Sequence, residues 1–166
     1  MDTNVERPPA GALATASTTA AEQILTFFVR EQEFGVEILK VRELQSWTAP
    51  MPIPQAPRWL KGVINLRGEI VPIADLRERL GFEPIEYGAL TVVVVIRITA
   101  GGRERTLGVI VDAMSDVVNV EGVQPAPQLT ASGEKPWARG IARTEKGLIT
   151  LLDVDSLFSS LGAAEH

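Results

Sequence analysis

Gly62-Val-Ile-Asn-Leu-Arg-Gly-Glu-Ile-Val-Pro-Ile-Ala-Asp-Leu-Arg77 decides how the rest of the chain is read. Val63, Ile64 and Leu66 lead into a tight turn, and Ile70, Val71 and Ile73 lead out of it. Two β-rich arms around Arg67-Gly68-Glu69 predict a hairpin, with Gly68 free to take a positive φ. Asp75 is placed to cap a short helix over Leu76–Leu80, which Gly81 ends. A second copy begins at Gly140-Ile141 and runs through Gly147 to Asp153-Val154. The separations 140 − 62 and 153 − 75 are both 78, so the pattern occurs twice.

Working outward, Ile24–Val29 and Phe34–Ile38 read as a strand pair around a polar turn. Leu90–Ile98 and Arg105–Val111 repeat that pair around Gly101-Gly102, and the first of them is apolar enough to be buried on both faces. Phe34-Gly35-Val36 matches Leu107-Gly108-Val109, with 108 − 35 giving 73. Leu39–Leu44 is expected to form one or two helical turns. Pro50, Pro52, Pro54 and Pro57 mark a stiff connector outside any central sheet, with Met51 and Ile53 as its anchors on a core. Asp112–Val120 reads as irregular, Gln124–Lys135 as a second connector, and Asp153 as the cap of a helix over Val154–Leu161. Residues 1–22 lack periodicity and read as a disordered tail, and 162–166 as a second tail. The dense short strands predict a mainly β fold of two small barrels related by internal duplication, with halves near 23–82 and 90–161 that could exchange a terminal strand. A concave groove between the barrels would be the place for a ligand or partner.

Composition removes several function classes. The net charge of −5 and the lack of a basic run argue against nucleic acid and anionic membrane surfaces. With no cysteine there is no disulfide framework, thiol nucleophile or thiolate metal site. His166, the last residue, is the single histidine, which removes a His-based triad or His metal site. Asp75 and Asp153 are explained as caps, and Asp112 and Asp116 are too few for a calcium or magnesium site. No cofactor, metal or catalytic residue is expected. No apolar run approaches the about 18 residues of a membrane span, and no signal peptide is read, so a cytoplasmic location is expected.

The segments 62–76, Phe34–Leu44 and Leu107–Val117 resemble, in order and spacing, those of CheW-type chemotaxis coupling proteins, and the resemblance covers about residues 23–161. It implies a non-catalytic adaptor of two five-stranded, SH3-like β-barrels. Such an adaptor joins the cytoplasmic tip of methyl-accepting chemoreceptors to the regulatory domain of the CheA histidine kinase, in membrane-associated arrays that can include rings of CheW-like domains. The end of the chain soon after residue 161 favours a stand-alone adaptor. Carried over by position, a receptor-binding groove would use Val36, Leu39 and Val41 on one wall and Val109, Val111 and Val117 on the other. The alternation of these residues on predicted strands leaves core as an open reading for Val36 and Val109, whereas Val41 lies past its strand. The resemblance also implies a coupling ion pair between Glu43 and Arg67. Gly62, Gly68, Gly140 and Gly147 are the expected hairpin and turn glycines. The proline-rich connector and long turn at Thr99–Glu104 leave room for an adaptor of a pilus or other non-flagellar pathway. A small-molecule-binding double barrel is the alternative from a different class.

Overall fold

The structure is a computed structural model that describes residues 22–120, 122–124, 137–145 and 147–163. Most of both expected tails and of the 124–135 connector therefore lie outside the described residues. β1 (Gln23–Val29) and β2 (Gln32–Glu37) form a hairpin, and a 3₁₀ turn over Ile38–Lys40 leads to β3 (Val41–Ser46). β4 (Leu60–Leu66) and β5 (Glu69–Asp75) are the two arms of the segment quoted above, and α1 (Leu76–Arg79) follows them. β6 (Val92–Ala100) and β7 (Arg103–Val111) make a long hairpin, followed by β8 (Ala113–Asn119) and the two-residue β9 (Val123–Gln124). β10 (Ala138–Thr144) and β11 (Gly147–Leu152) are the second copy of the hairpin, and α2 (Val154–Leu157) and α3 (Ser160–Ala163) close the chain.

The strands build two sheets, a six-stranded one ordered β9-β10-β11-β2-β1-β8 and a five-stranded one ordered β3-β6-β7-β5-β4. Each sheet holds one parallel pair. Leu151 of β11 lies opposite Gly35 of β2, and Ile73 of β5 lies opposite Gly108 of β7. These pairings keep both repeat separations, since 151 − 73 is 78 and 108 − 35 is 73. Each copied hairpin therefore pairs with a hairpin supplied by the other half of the chain. The parallel contact at Gly108 runs so close that a Cβ there would sit 2.5 Å from Ile73 Cδ1.

The helix caps form as expected. Asp75 accepts the Arg77 N–H at 2.9 Å, and Asp153 accepts the Ser156 N–H at 3.2 Å. Trp59 and Trp137, also 78 apart, accept the backbone N–H of these two aspartates, each at 2.7 Å. The fold is held by apolar residues on the facing sides of the sheets. Leu25, Phe27 and Val36 meet Val94, Ile96 and Val109 there. Val93 and Val95, on the other face of β6, pack with Leu66, Val71 and Ile110. The Val93–Ile96 run is thus buried on both faces, as its composition predicts.

Four local expectations are corrected. Helical geometry in 39–44 ends at Lys40, and Val41–Ser46 is an edge strand whose β-branched start pairs with Ile96. Asp112–Val120 is not irregular, because Ala113–Asn119 pairs with β1 and gains the ladder bonds that its local pattern did not advertise. Met51 and Ile53 are not core anchors. Their side chains are exposed, and the connector is instead held through its backbone, by reciprocal 2.9 Å bonds between Met51 and Val63. The C-terminal helix is split into α2 and α3 at Phe158-Ser159.

Candidate partner-binding site

The β4–β5 turn is a two-residue hairpin in which Arg67 has φ 52° and Gly68 φ 89°. Positive φ at both central residues is the primed turn that suits strand twist, and it favours Asn-Gly over Arg-Gly. Asn65 Oδ1 accepts the Gly68 N–H at 2.8 Å and steadies the turn. Gly147, with φ 123°, lies just past the second turn, as the first residue of β11 opposite Thr144, and so is not the counterpart of Gly68. Arg67 is costly to its own backbone in this conformation, and its side chain makes a contact that can offset the cost. That side chain forms a two-point ion pair with Glu43 of β3, with Nη1 3.2 Å from Oε1 and Nη2 bonded to Oε2. Beside it, Arg42 bonds Glu69 Oε1 at 3.1 Å and Thr106 Oγ1 at 2.8 Å. The two pairs join β3, at one edge of the five-stranded sheet, to the hairpin at its other edge, so this sheet curls toward closure.

Hydrogen bonds from Arg67, then Gln45, hold the Glu43 carboxyl below its ordinary pKa. A carboxylate with a lowered folded value supports the fold at neutral pH. It loses that contribution only as pH falls through the lowered value. An NMR titration of Glu43 is expected to show a midpoint below that of an ordinary glutamate, and Arg67→Ala should move it upward. A midpoint unmoved by Arg67→Ala would mean the pair does not persist in solution.

The six expected groove residues separate into two groups. Val36, Val109 and Val111 are 2%, 4% and 0% exposed, within the core between the sheets. Val36 and Val109 line a space between the sheets of only about 10 Å³. These three are core and not groove, because the facing sheets pack directly on one another. Leu39 is 87% and Val117 45% exposed, and Val41 is half-buried with its inner side against the core. Leu44, which the sequence reading did not select, is 47% exposed. In-register partners share a face of the sheet. Leu44 lies opposite Val94 and Val117 opposite Leu25, both core residues. Leu44 and Val117 therefore extend the inner faces of two edge strands, β3 and β8, beyond the point where the core closes.

Two further exposed apolar residues follow the repeat. Ile70 is 62% and Leu148 70% exposed, at the starts of β5 and β11, and they are 78 residues apart. Each lines a surface cavity of about 260 Å³. One also includes Glu69, Glu104 and Arg105, and the other Gln124, Ile141 and Arg143. The signal that could have found them is the duplication itself, because an apolar residue at the solvent end of both hairpins is not needed by either core.

Gly62 and Gly140 sit at register shifts in β4 and β10. Gly62 has φ 147°, and a Cβ there would lie 2.6 Å from the carbonyl carbon of Met51. At Gly140 a Cβ would press on the backbone of Gln124, 3.3 Å from its carbonyl carbon. Both glycines let a neighbouring chain segment approach a hairpin arm.

Arg77, 1% exposed, and Asp75, fully buried, form a charged cluster inside the molecule. Its Nη2 lies 3.1 Å from Asp75 Oδ2 and its Nη1 3.0 Å from Asp112 Oδ1. Tyr87 donates to Asp75 at 2.7 Å and stacks on Trp47, with ring centroids 4.0 Å apart. Burial, then the Asp75 carboxylate, pushes the Tyr87 hydroxyl's pKa well up, so it stays a donor. Asp112 also accepts the Arg30 N–H at 2.6 Å. Both Asp75 oxygens are hydrogen-bonded, whereas Asp112 Oδ1 meets Arg77 as an ion pair without an aligned hydrogen bond. Among the described residues no three His, Cys, Asp or Glu side chains are grouped to hold a metal ion. Nor is any helix among the described residues long and apolar enough to cross a membrane.

The family described as CheW-like domain matches residues 23–162. The chain belongs to the CheW-like family. The probable chemotaxis protein CheW of Rhizobium etli is 39% identical over 139 residues, covering 82% of this chain and 87% of that one. The chemotaxis protein CheW of Rhizobium meliloti is 38% identical over 145 residues, covering 86% and 91%. Among solved structures, the scaffolding protein TtCheW of Thermoanaerobacter tengcongensis superposes with a TM-score of 0.75 at 28% identity, covering 86% of this chain and 95% of that one. This CheW-like chain thus has the fold of a chemotaxis scaffold, and its exposed apolar residues are to be read against that role.

Proposed function

We propose that this CheW-like chain is the adaptor that couples methyl-accepting chemoreceptors to a CheA-type histidine kinase in the cytoplasm. The observation that carries the receptor half is that Leu44 and Val117 stay exposed on the inner faces of the edge strands β3 and β8, with Leu39 exposed on the 3₁₀ turn. Leu39, Leu44 and Val117 offer apolar area to a helical receptor tip, in the manner of a helix laid in a groove. Val41 forms its floor. The kinase's regulatory domain, itself CheW-like, is assigned to the barrel ends carrying Ile70 and Leu148. Two unlike ends allow one adaptor to continue a ring or lattice. The rival reading, a metabolite-binding double barrel, finds no support in the interior formed by the described residues. An interior of about 10 Å³ is far below the about 300 Å³ at which ligand pockets begin.

Titration calorimetry tests the proposal with two partners, the regulatory domain of the source organism's kinase and a receptor-tip hairpin. Saturable binding to both is expected, with Leu44→Asp or Val117→Asp weakening the receptor arm alone. Arg67→Ala is expected to weaken coupling while leaving the thermal midpoint nearly unchanged, since an exposed pair contributes little. A large loss of thermal stability in that variant would make Arg67 a structural residue. No binding to either partner would overturn the adaptor reading for this chain.

A further inference from the structure

Within the described residues the chain crosses between the two sheets twice, and the two crossings are built unequally. At Asp112, between β7 and β8, the joint is clamped by buried Arg77, by the Arg30 N–H, and by its own N–H on Phe28 O at 2.9 Å. At Ile38–Lys40, between β2 and β3, no residue is buried, and the turn is closed by the Val41 N–H on Ile38 O. An ion pair ties this turn to the far end of the chain. Lys40 Nζ lies 3.3 Å from Asp155 Oδ2, with the two side chains 29% and 36% exposed. Asp155 also accepts the Thr99 N–H at 2.9 Å, which seats the start of α2 on β6.

Asp155 stands 78 residues after Arg77, so the two ends of the repeat brace the two crossings from corresponding positions with the charges reversed. One brace is buried and permanent. The other is open to solvent and, at about 0–1 kcal/mol, can shift a local equilibrium by no more than about fivefold. It holds the turn that carries Leu39, which is too exposed to be placed by its own packing.

We propose that Lys40 and Asp155 are a positioning pair that sets the path of the Ile38–Lys40 joint, and through it the placement of Leu39 and Val41 on the partner-facing strip. This rests on the receptor-docking reading above, which assigns Leu39 and Val41 to that strip. Neither charge need touch the partner. Screening should loosen the brace, because the Debye length falls from about 10 Å at 0.1 M salt to about 3 Å at 1 M. The buried clamp at Asp112 should not respond.

Hydrogen exchange and binding to a receptor-tip hairpin test the pair on the full chain. Lys40→Met keeps the apolar stem and removes the charge. At low salt it is expected to speed exchange at the Val41 amide by about two- to fivefold. The Thr99 amide, still bonded to Asp155, and the Asp112 amide should be unchanged. The tip's Kd should rise by a similar factor. Lys40→Arg, which keeps a positive charge facing Asp155, should leave both the Val41 amide and the Kd near their wild-type values, a retention that a role in packing alone would not require. About 1 M salt should act on the wild type as the single substitution does. Unchanged Val41 exchange in Lys40→Met overturns the brace. Faster exchange with an unchanged Kd shows that the brace positions nothing. A wild type that binds no tip while Val41 still responds removes the docking reading, and with it the positioning role, but leaves the brace.

Discussion

Replacing Arg77 with alanine is expected to cost about 3–5 kcal/mol of stability, the range for breaking a buried ion pair from one side. Asp75 and Asp112 would each lose a guanidinium hydrogen-bond donor or counter-charge where water cannot replace it, since Asp75 is fully buried. Burial opposes the charge on Arg77, but the bonds to Asp75 and the fields of Asp75 and Asp112 outweigh it and raise its pKa. In thermal unfolding the midpoint should fall by about 6–20 °C, at about 2–4 °C per kcal/mol for a chain of this size. Neutralising the whole cluster, with Arg77→Met, Asp75→Asn and Asp112→Asn together, should cost less than Arg77→Ala alone, because no buried charge is then left unpaired. A loss below about 1 kcal/mol in Arg77→Ala would instead place the cluster in contact with solvent, as for an exposed pair.

Gly62→Ala should be comparably severe for a different reason. The new methyl would be driven into the Met51 carbonyl, a backbone atom that no rotamer change can move aside. It would also be held at φ 147°, a region that L side chains rarely enter. Overpacking of about 1–3 kcal/mol and backbone strain of about 1–3 kcal/mol act together here. The expected outcome is a loss of about 3 kcal/mol, read as a shifted denaturant midpoint. The Val63 and Met51 amides, which bond each other's carbonyls, should lose exchange protection first. Gly68→Ala is the control. It too has a positive φ, but nothing lies within 4 Å of its added methyl, so only the strain remains. If the two variants lose equal stability, the close approach of the 50–57 connector is not what requires Gly62.

The hairpins, caps and duplication were legible because they are local. Gly68 beside two β-rich arms, and aspartate just before a short apolar helix, state their geometry within a few residues. The β8 strand was not legible, since its pattern is indifferent and only pairing with β1 makes it a strand. The 39–44 segment failed for the same reason. Its spacing suits a weak helix, but the Val41–Ile96 pairing supplies ladder bonds that a two-turn helix cannot match.

The binding strip was half legible. Val36, Val109 and Val111 have the same composition and alternation as residues on a partner-facing wall, and nothing in the sequence shows whether the surface opposite is solvent or another sheet. Leu44 carries the converse ambiguity. It reads as an ordinary inner-face strand residue and is exposed only because its edge strand outruns the core.

From the sequence alone follow a duplicated β-hairpin chain, its turn and cap residues, its membership of the CheW-like pattern, and the pairing of Arg67 with Glu43 that the resemblance implies. These depend on short-range geometry and on motifs that survive as strings of residues. The tertiary structure alone decided that each half lends a hairpin to the other's sheet, which valines are core, and that Arg77 is buried between Asp75 and Asp112. It also decided that Lys40 meets Asp155 across 115 residues of chain. Those depend on how two sheets face one another, and a side chain's neighbours across that interface leave no periodic trace along the chain.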